Sequence, residues 1–145
     1  MGVVGQRVEE KIGQRLARQP LADLFLDTLP YNAHTTASDA LWVGLPVITT
    51  PGTTFPGRVA ASLLHAIGLP ELIAPSLDEY EALALRLARE PQVLAALKTK
   101  LAANRASFPL FDTARFTRHL EAALIRMWER HQQGLPPETF AVAPS

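Results

Sequence analysis

Apolar residues recur at four-residue spacing at Val8, Ile12 and Leu16, with Arg7, Glu9, Glu10, Lys11 and Arg15 between them. This spacing predicts an amphipathic helix over 5–18 that stops before Pro20. The unbroken run Leu24-Phe25-Leu26 inside "LADLFLD" is short enough for a buried strand. A helix is predicted from Thr35 to Val43, ended by Gly44 and followed by Pro46. The β-branched "PVITT" predicts a second strand, turned by Pro51-Gly52. Val59, Leu63, Leu64 and Ile67 mark the next helix, closed by Gly68, and "ELIA" predicts a brief third strand.

Strand-helix-strand-helix-strand is the order of an α/β protein with a parallel, Rossmann-like sheet and right-handed crossovers. Helices alone follow. Ser76-Leu77-Asp78-Glu79 is a capping box opening a helix to about Glu90. Pro91 starts another, with Val93, Leu94, Leu97 and Leu101 on one face. Asp112-Thr113 caps the last, whose apolar stripe comprises Phe116, Leu120, Leu124, Met127 and Trp128. The tail from Gly134 is Pro-rich and expected to be extended or mobile. Three strands make a thin sheet for a doubly wound fold, so further structure is expected on the N-terminal side.

Composition narrows the function classes. The chain has 145 residues, 48% hydrophobic and 19% charged, the profile of a globular domain. Fourteen basic residues balance fourteen acidic ones, so no net field draws in nucleic acid or an anionic membrane. With no cysteine, disulfides and thiolate chemistry are excluded and a reducing compartment is expected. No apolar run approaches the ~20 residues of a membrane span, and the N-terminus lacks a signal-peptide core. These features together predict a cytoplasmic location.

The chemistry is concentrated in "YNAHTTASDALWVGLP" (31–46), between the first strand and its helix. Ligands of open α/β sheets bind outside the carboxyl ends of the strands. A helix N-terminus there offers free N–H groups and a positive dipole end to an anion such as phosphate. Thr35 and Thr36 add hydroxyls, and His34 adds an imidazole donor. Asp39 follows the threonines by three and four residues, on their helix face and one turn deeper. Its carboxylate would repel phosphate but can accept bonds from vicinal ribose hydroxyls, so the pose suits a nucleoside diphosphate. Plain capping explains the threonines and Asp39 equally well. A cap has no need of His34. Trp42 is expected in the core, and His65, His119 and His131 at the surface or at helix ends. No spacing suggests a metal site, and no GxGxxG or P-loop is present.

The stretch "LADLFLDTLPYNAHTTASDALWVGLPVITTPG", with "RVAASLL", "ELIA", "PLFDTARF" and "MWERHQQG", closely resembles the C-terminal catalytic lobe of the protein O-GlcNAc transferases, the SPINDLY-like glycosyltransferases. The resemblance spans about Arg18 to Gly134. It implies the C-terminal half of a GT-B glycosyltransferase lobe with a nucleotide-sugar-binding α/β domain over 21–133; the N-terminal helical segment over 1–20 and the tail over 134–145, read from their own patterns, flank it. The implied activity is transfer of N-acetylglucosamine from its uridine diphosphate (UDP) carrier to protein Ser or Thr. By position, His34, Thr35 and Thr36 would cradle the diphosphate, Asp39 would hold the ribose, and Arg18 would lie near the uracil. Arg15 stands where the family has a histidine, which bears on base recognition. UDP-sugar is the implied donor substrate, with no cofactor and no metal. The family's phosphate-contacting Lys, N-terminal lobe and tetratricopeptide repeats lie upstream of the sequence in hand. The chain alone is therefore expected to form half an active site, completed by a complementary N-terminal lobe and meeting its protein acceptor through those other regions. Two other readings stay open: a truncated, non-catalytic interaction module, and an unrelated small-molecule enzyme using the same helix tip for phosphate.

Overall fold

A computed structural model of the chain describes Gly13 and residues 17–143. Of the expected N-terminal helix, only Gly13, Ala17 and Arg18 lie among the described residues, and these are helical. The remainder of that helix, with Arg15, lies outside them. The chain divides into two compact units, one ending at Leu110 and the other beginning at Phe111.

In the first unit, β1 (Phe25–Leu26) pairs in parallel with β2 (Val47–Ile48), Phe25 opposite Val47 and Leu26 opposite Ile48. The crossover between them is helix α1 (Thr35–Trp42). The third strand shrinks to a single parallel bridge between Thr49 and Ile73, held by Thr49 N–H to Leu72 O and Ala74 N–H to Thr49 O. Pro70–Leu72 winds as a 3-10 turn, so "ELIA" leaves too few extended residues for a ladder. The unit also holds helices α2 (Val59–Ala66), α3 (Leu77–Arg89) and α4 (Pro91–Ser107). The parallel α/β order is as expected, with a smaller sheet.

The core follows the apolar pattern. Ala37, Ala40 and Leu41 of α1, Val47 and Ile48 of β2, and Ala60, Ala61 and Leu64 of α2 are all buried. Leu87 of α3 and Leu101 of α4 extend it. Small residues on α1 and α2 are what allow both helices to approach closely. Gly44 (φ 87°) and Gly68 (φ 72°) end α1 and α2 in the left-handed conformation. Leu45 N–H then reaches back to Ala40 O, and Leu69 N–H to Leu64 O. Ser76 caps α3 by accepting from Glu79 N–H at 3.2 Å, one half of the expected capping box.

Trp42 is the clear departure. It is 54% exposed, not core, and Arg105 of α4 lies over its ring 5.7 Å from the centroid while also donating to its carbonyl. It falls on the α1 face opposite the buried alanines, so its size did not decide its burial.

In the second unit, Asp112 caps helix α5 (Thr113–Gln132) by accepting from Arg115 N–H at 2.8 Å. The predicted stripe is present but exposed within the chain at Phe116, Leu120, Leu124, Met127 and Trp128. The described part of the tail forms no helix or strand, yet it is tied down. Arg126 and Arg130 each pair with Glu138 at 3.0 Å, and Arg126 lies 4.2 Å over the Phe140 ring.

Candidate functional site at the tip of helix α1

The loop from Asp27 to His34 leaves the carboxyl end of β1 and delivers the chain to α1. His34 is the N-cap residue, but its side chain makes no capping hydrogen bond. Thr35 and Thr36 are the first two helical residues. The first helical bond runs from Ser38 N–H to His34 O at 3.0 Å. The N–H groups of Thr35, Thr36 and Ala37 therefore precede the ladder at the positive end of the helix dipole. Capping by the threonines, the simplest alternative, is not what they do.

Phe25, Thr28, Tyr31, Asn32, Ala33, His34, Thr35 and Thr36 line an open cavity of about 540 Å³ at this tip. Among the described residues, His34 and Tyr31 are the ionisable members of the lining. Its ring stacks on Tyr31, centroids 5.1 Å apart and planes at 14°, and meets Phe55 edge-on at 6.2 Å. His34 Nε2 lies 3.4 Å from Pro56 O. Since a carbonyl only accepts, that contact is a hydrogen bond when the proton sits on Nε2. Pro56 O also accepts from Asn32 N–H at 3.1 Å, which joins the 50–58 loop to the site loop.

His34, Thr35 and Thr36 are thus brought together, as the sequence suggested. Asp39 is half-buried one turn along α1, outside the cavity lining. Arg18 is exposed and also outside it, although the next residue, Gln19, donates to Thr36 O at 3.4 Å. The Arg18 segment therefore abuts the first turn of α1. Among the described residues, no three of His, Asp and Glu are grouped to hold a metal ion. No described helix is long and apolar enough to cross a membrane.

Asp27 was not foreseen. Only 5% exposed, it accepts through Oδ1 from Thr28 N–H at 2.9 Å and Ala33 N–H at 2.6 Å, and through Oδ2 from the Thr49 hydroxyl at 2.6 Å. Tyr80 of α3 donates to its carbonyl at 3.0 Å. Burial, and secondarily the charge of Asp27, raise the Tyr80 pKa. The sequence signal was available: a carboxylate ending an otherwise apolar strand needs a local reason.

Residues 4–120 match glycosyl transferase family 41. The chain belongs to glycosyl transferase family 41. The match takes in opening residues that the visible motifs did not reach and stops before "MWERHQQG". Among curated members of the family, the chain is 44% identical over 130 residues to the probable UDP-N-acetylglucosamine–peptide N-acetylglucosaminyltransferase SEC of Arabidopsis thaliana. It is 40% identical over 123 residues to the corresponding Caenorhabditis elegans transferase. These alignments cover 89% and 85% of this chain but only 13% and 11% of the relatives. A mutant O-GlcNAc transferase of Thermobaculum terrenum superposes with a TM-score of 0.76 at 41% identity, over 82% of this chain and 23% of that one. The family 41 likeness thus extends to the fold.

Proposed function

We propose that this chain carries the donor-nucleotide site of a protein O-GlcNAc transferase and binds the UDP part of a UDP-sugar, UDP-N-acetylglucosamine in the first instance. The observation that carries the proposal is the α1 tip: unladdered N–H groups, two threonines and an imidazole around one open cavity. In this proposal the diphosphate sits at the N–H groups of Thr35 and Thr36, where the helix dipole favours an anion. The hydroxyls of Thr35 and Thr36 donate to its oxygens, and His34 donates from an imidazole nitrogen. Asp39 accepts from the ribose hydroxyls, and Arg18 lies on the base side.

The same donors bear on catalysis. Charge builds up on the leaving diphosphate as the sugar bond breaks, and prearranged N–H groups stabilise that charge without reorganising. They do nothing for the acceptor hydroxyl, so orientation of the protein acceptor falls to regions outside this chain. The proposal assigns the charge on the diphosphate to these groups rather than to a metal, so UDP affinity should be the same with and without a chelator.

Titrating UDP into the labelled chain by NMR tests the proposal. Amide shifts at Thr35, Thr36 and Asp39 are expected, with weaker effects from simple sugar phosphates. No change at these residues at millimolar UDP would favour a non-catalytic interaction module. Equal response to sugar phosphates would favour a small-molecule phosphate enzyme.

A further inference from the structure

The buried Asp27 carboxylate joins three parts of the chain. Its own N–H is in the sheet, bonded to Ile48 O at 3.1 Å. Oδ2 takes the hydroxyl of Thr49, which sits between β1 and the Ile73 bridge. Oδ1 takes the N–H of Ala33, the residue immediately before the α1 N-cap. A chain of bonds therefore runs from the sheet, through one side chain, to the start of the helix tip. Asp27 does not itself line the cavity.

Burying a carboxylate is costly unless donors surround it, and here three do. That cost makes little sense for packing alone, since an apolar residue would fill the space. What the carboxylate supplies is direction. The 28–34 loop contains no helix or strand, and its other internal ties are Thr28 Oγ1 to Tyr31 O at 2.8 Å and a long 3.4 Å bond from Asn32 Nδ2 to Thr28 O. Neither fixes Ala33 to the sheet. Among the described residues, the 2.6 Å bond to Asp27 is what does so directly, and binding groups held by rigid elements lose least when a ligand arrives.

We propose that Asp27 is a positioning residue for anion binding: its carboxylate sets the backbone of Ala33 and His34, and through it the aim of the α1 N–H groups. This rests on the donor-site reading above and adds a residue that touches no ligand. A fixed tip serves the phosphates and is indifferent to the nucleoside. Loss of Asp27 should therefore weaken UDP and inorganic pyrophosphate by the same factor.

Calorimetry with both ligands, beside amide hydrogen exchange on the whole chain, provides the test. Asp27→Ala is expected to weaken both ligands about tenfold. It should speed exchange at Ala33 while the sheet amides of Asp27 and Thr49 stay protected. Asp27→Asn should recover both affinities to within about threefold, because its amide oxygen still accepts from Ala33 and its nitrogen can donate to the Thr49 hydroxyl. Wild-type affinity in Asp27→Ala overturns the proposal. So does an Asn variant as weak as the Ala variant, since charge and not aim would then be at stake. Should Asp27→Ala fail to fold, Thr49→Val removes one strut at nearly constant volume. It is expected to lose about threefold in affinity, and unchanged affinity overturns the proposal. A wild-type chain that binds neither ligand sinks the donor-site reading. Exchange at Ala33 then decides the brace by itself, and unchanged protection in Asp27→Ala rejects it.

Discussion

The Tyr31 and His34 rings lie parallel, 5.1 Å apart, at the mouth of the α1 tip. Tyr31 is 62% exposed, so burial does not account for its position. The stack presses one face of the imidazole, while Phe55 meets it edge-on. The ring is thereby held in one plane. Tyr31→Ala should weaken UDP by about 0.5–1.5 kcal/mol, the range of such ring pairs, and leave the denaturation midpoint unchanged. Calorimetry and a urea melt check both halves, and unaltered UDP affinity would show that the stack does not orient His34.

Asp39 should distinguish ligands that Asp27 does not. If its carboxylate accepts from ribose hydroxyls, Asp39→Ala weakens UDP by about 1.5–3 kcal/mol and leaves inorganic pyrophosphate unaffected. Equal losses on the two ligands would reduce Asp39 to a helix residue without a ribose partner.

Alkaline stability should depend on Tyr80. Its folded-state pKa is raised, by burial first and by the charge of Asp27 second. The neutral phenol is therefore favoured in the folded chain. Its contribution is complete below the unfolded tyrosine pKa of about 10 and is lost as pH rises through the folded value. Tyr80→Phe cannot ionise, so its stability should fall less steeply above that pH. Denaturant melts from pH 8 to 11 compare the slopes, and identical slopes would contradict the assignment.

Gly68 should tolerate no side chain. Its φ is +72°, and a Cβ there would come within 2.2 Å of the Phe108 ring. Gly68→Ala is expected to cost roughly 1–3 kcal/mol from backbone strain, with the ring clash on top. In a Phe108→Ala background the clash disappears and only strain remains, so the cost should shrink. A double-mutant cycle measures that coupling. Additive effects would mean the ring moves aside freely.

The elements that depend on local signals were legible in the sequence. Pro91, Ser76 and Asp112 start their helices where expected, and Gly44 and Gly68 end theirs. The grouping of His34, Thr35 and Thr36 followed from adjacency alone. What escaped were relations between distant residues. Asp27 meets Thr49 across 22 positions and Ala33 across six, and no periodicity encodes either contact. Trp42 is half-exposed where its size suggests core, because hydrophobicity does not tell which side of a short helix faces the interior. The "ELIA" strand was overestimated because β-propensity cannot foresee the 3-10 turn at Pro70–Leu72. Tyr31 and Phe55 frame one imidazole only after two loops meet.

Asn104 of α4 donates from Nδ2 to the carbonyls of Ile67 (2.8 Å) and Gly68 (3.2 Å) at the end of α2. The last turn of one helix is therefore completed by a residue from another, 36 and 37 positions later in the chain. Neither group can satisfy itself locally: the buried amide and the α2 carbonyls exchange water for each other in a single step. Detaching α4 would unmake the terminus of α2 as well as uncover Leu101. The sheet half and the helical half of the first unit should accordingly lose structure in one cooperative transition, with no intermediate in which the α/β part stands intact by itself.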